Sequence, residues 1–165
     1  MKDYRVGLGF DVHRFSKSKK PLILGGVNIP CNFSLKAVSD GDVLLHAIAD
    51  AICGACQLGD IGDYFPPQAA RSKGLDSRKI VQFILGKIRN KFSIVNIDAT
   101  IITEKPRLSA HKRKILKSLR EIFHVKTINV KIKSKEGLDI LGSRKAISCL
   151  SLAVVIPLAR APRAR

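Results

Sequence analysis

The sequence predicts an α+β fold, a single domain with helices packed on one face of a mixed sheet. Three observations carry this expectation. The chain has 165 residues, enough for one domain with a genuine core and short for two. Its apolar residues switch between a period of two and a period of 3.6, in the order β-ββ-α-α-β-α-β-β. No internal repeat or linker divides it, so 1–158 reads as the domain and 159–165 as a basic tail.

Arg5 to Phe10 reads as the first strand, and Arg14–Lys20 as a polar loop. Pro21 to Pro30 follows as a hairpin turning on Gly25-Gly26. Ser39-Asp40-Gly41-Asp42 is an N-terminal signal for a helix over Asp42–Leu58, apolar on nearly every face and therefore buried. Gly59 through Pro67 breaks that helix and reads as a long loop. Ser77–Asn90 is a second helix, with Ile80, Phe83, Ile84 and Ile88 on one face. Ile94–Thr103 is a strand whose Val95, Ile97, Ala99 and Ile101 share a face. After Pro106-Arg107 a third helix carries the stripe Ile115, Leu116, Leu119, Ile122 and Phe123. Ile128, Val130 and Ile132 alternate with polar residues in the next strand, and Ala146–Leu158 is a continuous apolar last strand.

Net charge is +17 with only 5% aromatic residues and no Trp. Stacking platforms for single-stranded nucleic acid are therefore poorly supplied. The clusters Lys17–Lys20, Lys112–Lys117 and Arg160–Arg165 read as a solvated basic surface, not a nucleic-acid interface. No apolar run reaches the length of a membrane span, and the first strand begins too early to leave room for a signal peptide; a cytoplasmic location is expected. Four cysteines do not suggest a disulfide framework. Cys53-Gly-Ala-Cys56 falls inside an apolar helical run, so both read as small core residues and not a redox pair.

Two stretches concentrate chemistry. In Gly9-Phe10-Asp11-Val12-His13, the carboxylate and the imidazole are two apart, so an extended strand points both to one face. His46 lies just inside the helix that Ser39–Asp42 begins. Together Asp11, His13 and His46 would make a three-ligand metal site with an open fourth position, which suits a catalytic Zn²⁺. Leu58–Asp63 is either a helix end and turn or a loop that holds sugar hydroxyls. Thr103–Arg107 joins a strand end to a helix start, a usual place for anion contacts. Lys133-Ser134-Lys135-Glu136 ends a strand with a hydroxyl, cations and a carboxylate that could handle a diphosphate and Mg²⁺. Both segments are also ordinary polar connections.

These motifs recur with Gly59-Asp60-Ile61-Gly62, Phe65-Pro66, Lys73-Gly74-Leu75-Asp76-Ser77 and Pro106-Arg107, in order, from about Arg5 to about Pro157. The whole pattern resembles the 2-C-methyl-D-erythritol 2,4-cyclodiphosphate synthase family of the non-mevalonate isoprenoid pathway. The resemblance implies a homotrimer with active sites at the subunit interfaces. It implies a small-molecule substrate, 4-diphosphocytidyl-2-C-methyl-D-erythritol 2-phosphate, cyclised with release of CMP. Asp11, His13 and His46 would bind zinc, and Glu136 a second divalent ion, Mg²⁺ or Mn²⁺. Ser134 and Glu136 would be the catalytic pair on the diphosphate, with Lys133 beside them. Asp60, Ile61 and Gly62 would face the methylerythritol and ribose. Ser39 and Phe65 would touch substrate, as would Asp11 and His13. Thr103, Arg107, Leu108 and Ser109 would form a cytidine and phosphate pocket from a neighbouring subunit.

The chain departs from the family at identifiable positions. Val38 stands where a histidine usually precedes Ser-Asp-Gly-Asp, which motivates a second reading: a trimeric binding protein with the same fold and metal but impaired turnover. Ser134 replaces a threonine and Arg107 a lysine. Ser143 and Lys145 replace an arginine and a glutamate associated with a central trimer cavity that binds isoprenoid diphosphates, so that regulatory role is not expected here.

Overall fold

The computed structural model describes residues 3–18, 20–139, 141 and 145–158. A five-stranded sheet has the order β4-β1-β7-β5-β6, built from β1 (Arg5–Ser16), β4 (Ser34–Leu35), β5 (Phe92–Ile102), β6 (Ile128–Lys133) and β7 (Ala146–Pro157). All its pairings are antiparallel except β5 with β6. The hairpin β2 (Leu22–Leu24) and β3 (Val27–Ile29) forms a separate two-stranded sheet. Its turn places Gly25 and Gly26 at φ of +60° and +72°, a conformation that glycine adopts without steric cost. The helices are α1 (Val43–Ala55), α2 (Ile61–Tyr64), α3 (Ser77–Ile88) and α4 (Lys112–Phe123). A mixed-sheet α+β domain is what the periodicity predicts.

Helix α1 is the centre of the core. Eleven of its thirteen residues are buried, and it packs on β1 and β7. The Asp42 carboxylate caps it by accepting from Leu44 and Leu45 N–H at 3.2 and 3.0 Å. The same carboxylate accepts from Gly25 and Gly26 N–H at 2.9 and 2.6 Å, which ties the hairpin to the helix start. Burial pushes this carboxyl up to about 6 despite those four donors.

Four expectations need correction. The first strand does not end at Phe10. Residues Arg5 to Arg14 all pair with β7, and β1 continues to Ser16, absorbing part of the expected loop. The long loop after α1 contains the short helix α2, held by a reciprocal cap between Asp60 and Asp63. A short strand β4 also pairs with the end of β1. Val95 does not share the face of Ile97, Ala99 and Ile101, because a bulge between Ile94 and Asn96 leaves it unpaired and partly exposed.

Helix α4 buries Ile115, Leu119 and Phe123 and leaves Arg113, Lys114, Lys117 and Arg120 exposed, as its stripe predicts. Cys53 and Cys56 are free and buried, and burial pushes their thiols up to about 12 and 11; at neutral pH they are inert core residues. Among the described residues, no helix is long and apolar enough to cross a membrane. The tail 159–165, Ser143 and Arg144 lie outside the described residues.

Candidate active site

Along β1, Gly7, Gly9, Asp11 and His13 point to the face that α1 covers. A Cβ on Gly7 would lie 2.0 Å from the Ala51 carbonyl oxygen, and one on Gly9 would lie 1.9 Å from that of Ala47. Only glycine lets the strand run this close beneath the Ala47, Ala51 and Ala55 ridge. His46, next to Ala47 on the same helix, is thereby brought to the strand. Its Nδ1 lies 2.9 Å from Asp11 Oδ2, and His13 Nε2 lies 3.0 Å from the same oxygen. The two imidazoles meet edge to face with centroids 5.7 Å apart.

The arrangement fits a metal ion. One ligand atom from each of Asp11, His13 and His46 can be chosen so that all lie within 4.8 Å of one another. His13 Nε2 is buried and lacks hydrogen-bond alignment with any partner, although a carboxylate oxygen is close. Such an atom is explained by a ligand at the point where the three side chains converge. An oxygen and two imidazole nitrogens suit a borderline cation such as zinc, and three protein ligands leave a position for substrate.

Electrostatics follow from the same contacts. Burial pushes the Asp11 carboxyl up, but the two imidazoles more than offset it and hold it well below the usual carboxylate range. Burial pulls His46 down, but the Asp11 carboxylate more than offsets it, so the imidazole is raised above its ordinary value. Without metal, the contact therefore favours the ionised carboxylate and the protonated imidazole.

Residues from α3 and the loop before α1 set the His46 ring. Ser77 Oγ is 2.8 Å from His46 Nε2. The Ser77 hydroxyl donates to Asp40, and the Ser77 N–H donates to Asp40 Oδ2 at 3.0 Å. Because the single hydroxyl proton goes to Asp40, Ser77 Oγ accepts from His46 Nε2–H. Nδ1 is then the nitrogen that can give its lone pair to a metal. Ser39 Oγ is 3.5 Å from His46 Nε2 and accepts from Gly41 N–H.

A cavity of about 350 Å³ opens beside the triad, lined among others by His13, His46, Ser39, Ile61, Gly62 and Phe65. Helix α2 supplies Ile61 and Gly62, and Phe65 follows its end. Its first N–H, from Ile61, donates to Asp50 of α1 at 2.9 Å, and burial raises the Asp50 carboxyl. Asp60, at the cap of α2, is exposed.

The remaining sequence-predicted residues form a second group. Thr103, Arg107, Leu108 and Ser109 follow β5; Lys133 ends β6, and Ser134 and Glu136 follow it. Glu104 joins the two segments by accepting from Lys135 and Gly137 N–H at 2.8 and 3.3 Å. Ser134 donates its hydroxyl to Glu136. Arg107, Lys133, Ser134 and Glu136 are exposed, whereas Leu108 and Thr103 are buried. None of this group lines the triad cavity.

Sequence reasoning missed the roles of Ser77, Asp40 and Asp50. Ser77 opens a helix and Asp40 precedes one, so each reads as local capping; their shared contact spans 37 positions in sequence, and nothing in either stretch signals it.

The sequence matches the YgbB family over residues 4–156. It is 42% identical over 154 residues to the 2-C-methyl-D-erythritol 2,4-cyclodiphosphate synthase of Wigglesworthia glossinidia brevipalpis, covering 92% of this chain and 98% of that one. The same-named protein of Clostridium kluyveri is 44% identical, covering 92% and 93%. The solved CDP complex of IspF from Plasmodium falciparum superposes with a TM-score of 0.80 at 32% identity, covering 95% of this chain and 98% of that chain. The chain belongs to the YgbB family, that of the 2-C-methyl-D-erythritol 2,4-cyclodiphosphate synthases.

Proposed function

We propose that the protein is a cyclising lyase of isoprenoid precursor biosynthesis that turns 4-diphosphocytidyl-2-C-methyl-D-erythritol 2-phosphate into 2-C-methyl-D-erythritol 2,4-cyclodiphosphate and CMP. The observation that carries this is the Asp11, His13 and His46 triad, convergent on one point at the edge of a sugar-sized cavity. An oxygen of the 2-phosphate attacks the β-phosphorus, the bond from that phosphorus to the bridging oxygen breaks, and CMP leaves with that oxygen. Both reacting groups belong to one molecule, so catalysis is positioning and charge neutralisation.

Asp11, His13 and His46 would hold Zn²⁺, and Glu136 a second divalent ion, Mg²⁺ or Mn²⁺. When bound, the ions supply Lewis-acid charge for phosphate oxygens. Ile61, Gly62 and Phe65 wall the cavity where the methylerythritol would sit, and the exposed Asp60 just before them would receive sugar hydroxyls. Ser39 would donate to a phosphate. Ser134 and Lys133 would hold the diphosphate with Glu136. Thr103, Arg107, Leu108 and Ser109 would receive the cytidine; Leu108 is buried, so its share would come from its backbone.

The two groups of residues would complete one site across a subunit boundary in a homotrimer. Support comes from the sheet face opposite α1. There Val6 and Leu8 are 62% and 64% exposed, with Phe10, Val12 and Leu152 beside them. An apolar stripe of this kind is what an assembly covers. A cytoplasmic location belongs to the same reading, supported by four free cysteines.

Incubating the zinc- and magnesium-loaded protein with substrate and following CMP tests this. Release by the wild type and loss in His46→Ala is expected; no release from the wild type above that control would overturn it.

A further inference from the structure

Lys36 lies beside the metal triad in a position that the backbone fixes. Its N–H donates to the Arg14 carbonyl at 2.8 Å, directly after the β4 pairs of Leu35 with Phe15 and Ser34 with Ser16. That bond anchors Lys36 against the strand that carries His13. Lys36 is exposed and lines the triad cavity together with His13, Ser39 and His46. Among the described residues it is the only lysine or arginine in that lining, and none of them there is a carboxylate. A second cavity of about 350 Å³ shares Ala37, Val38 and Pro67 with the first and adds Lys20 and Lys73, again with no carboxylate among the described residues of its lining. Val38, apolar and without a donor, stands between the two. The mouth of the triad cavity is therefore a cationic zone in which Lys36 is the inner charge.

We propose that Lys36 is a phosphate-binding residue of this chain, placing its ammonium on a non-bridging oxygen of the anionic ligand that enters the triad cavity. This rests on the proposed function for the identity of that ligand, but not for its charge. Three metal ligands with an oxygen, two nitrogens and an open position receive an anion well, and a phosphate there needs a fixed cation to balance what one metal ion leaves. The imidazoles cannot supply that cation while they coordinate metal. Lys36 can, since it lines the cavity and its four-carbon stem lets the ammonium meet an oxygen of the bound anion. Lys20 and Lys73, in the outer compartment, raise the local concentration of anions without fixing their orientation.

The test uses the zinc- and magnesium-loaded protein and the variants Lys36→Met and Lys36→Arg, with Lys126→Met, an exposed lysine outside both linings, as the charge control. Steady-state CMP release gives KM and kcat, and calorimetry with inorganic pyrophosphate gives a binding constant that needs no turnover. Lys36→Met is expected to raise KM and the pyrophosphate Kd by about 10- to 100-fold, with zinc content unchanged. Lys36→Arg should restore most of the loss, and Lys126→Met should match the wild type. Equal pyrophosphate binding and KM in Lys36→Met and the wild type would overturn the proposal while leaving the cyclase reading intact. If the wild type releases no CMP, the cyclase reading fails, and the pyrophosphate series alone decides Lys36: a Kd raised in Lys36→Met and restored in Lys36→Arg supports it, and an unchanged Kd refutes it.

Discussion

Gly9 runs so close beneath Ala47 that a Cβ on it would lie 1.9 Å from the Ala47 carbonyl oxygen. This contact sets the distance between β1 and α1, and through it the 2.9 Å approach of His46 to Asp11. Gly9→Ala must push the helix off the strand. A loss of about 1–3 kcal/mol is expected, seen as a melting temperature lower by roughly 2–12 °C, together with weakened zinc binding. A melting curve and zinc content equal to the wild type's would show that the helix is not seated by this glycine.

Removing a ligand should leave the fold and take the metal. Asp11→Asn and His13→Ala are expected to retain the wild-type circular dichroism spectrum while losing tightly bound zinc. Ser77→Ala, which removes the acceptor of His46 Nε2–H, should weaken zinc by about 10- to 100-fold without abolishing it. Metal analysis by mass spectrometry checks all three; one tight zinc per chain in Asp11→Asn or His13→Ala would refute the ligand assignment.

The pH dependence has a definite sign. Asp11 is held below its ordinary 3.8 and His46 above its ordinary 6.5. In the metal-free protein the Asp11 contribution to stability is present above pH 3.8 and lost as pH falls. The His46 contribution is fully present below pH 6.5 and lost as pH rises through its raised value. The melting difference between metal-free wild type and metal-free His46→Gln should therefore be largest between about pH 4 and 6.5. Zinc must displace the His46 Nδ1 proton, so its affinity should keep rising with pH above 6.5. A pH-independent zinc affinity from 6 to 8 would contradict the carboxylate–imidazolium pair.

The uncovered side of β1 makes a claim about assembly. Leu8→Lys places a charge in the centre of the exposed apolar stripe and is distant from the triad face. Sedimentation should show the wild type as a trimer and Leu8→Lys as smaller species with an unchanged zinc content. An unaltered sedimentation coefficient would mean that the sheet face is not the assembly surface.

Periodicity exposed α3, α4 and β6 because each buries one regular face, while α1 and β7 showed as continuous apolar runs and the hairpin as a glycine-pair turn. It failed where polar chemistry replaces that face. Beyond Phe10 the alternation dissolves into Asp11, His13 and Arg14, yet their backbone pairing with Cys149, Ile147 and Ala146 keeps the strand extended. Helix α2 is four residues long and exists through the Asp60–Asp63 cap and the Asp50 contact, one local and one tertiary. The triad itself was legible, since Asp11 and His13 lie two apart and His46 follows a helix start. The Ser77 and Asp40 contacts that set the His46 tautomer were not, because long-range pairing leaves no mark on either local stretch.

Phosphorus NMR of the zinc- and magnesium-loaded protein with 4-diphosphocytidyl-2-C-methyl-D-erythritol 2-phosphate tests the central claim most directly. CMP and the cyclic diphosphate should appear in equal amounts, without inorganic phosphate, and both should vanish in His46→Ala. Inorganic phosphate in place of the cyclic product, or an unchanged substrate spectrum with the metal-loaded wild type, would contradict the assignment.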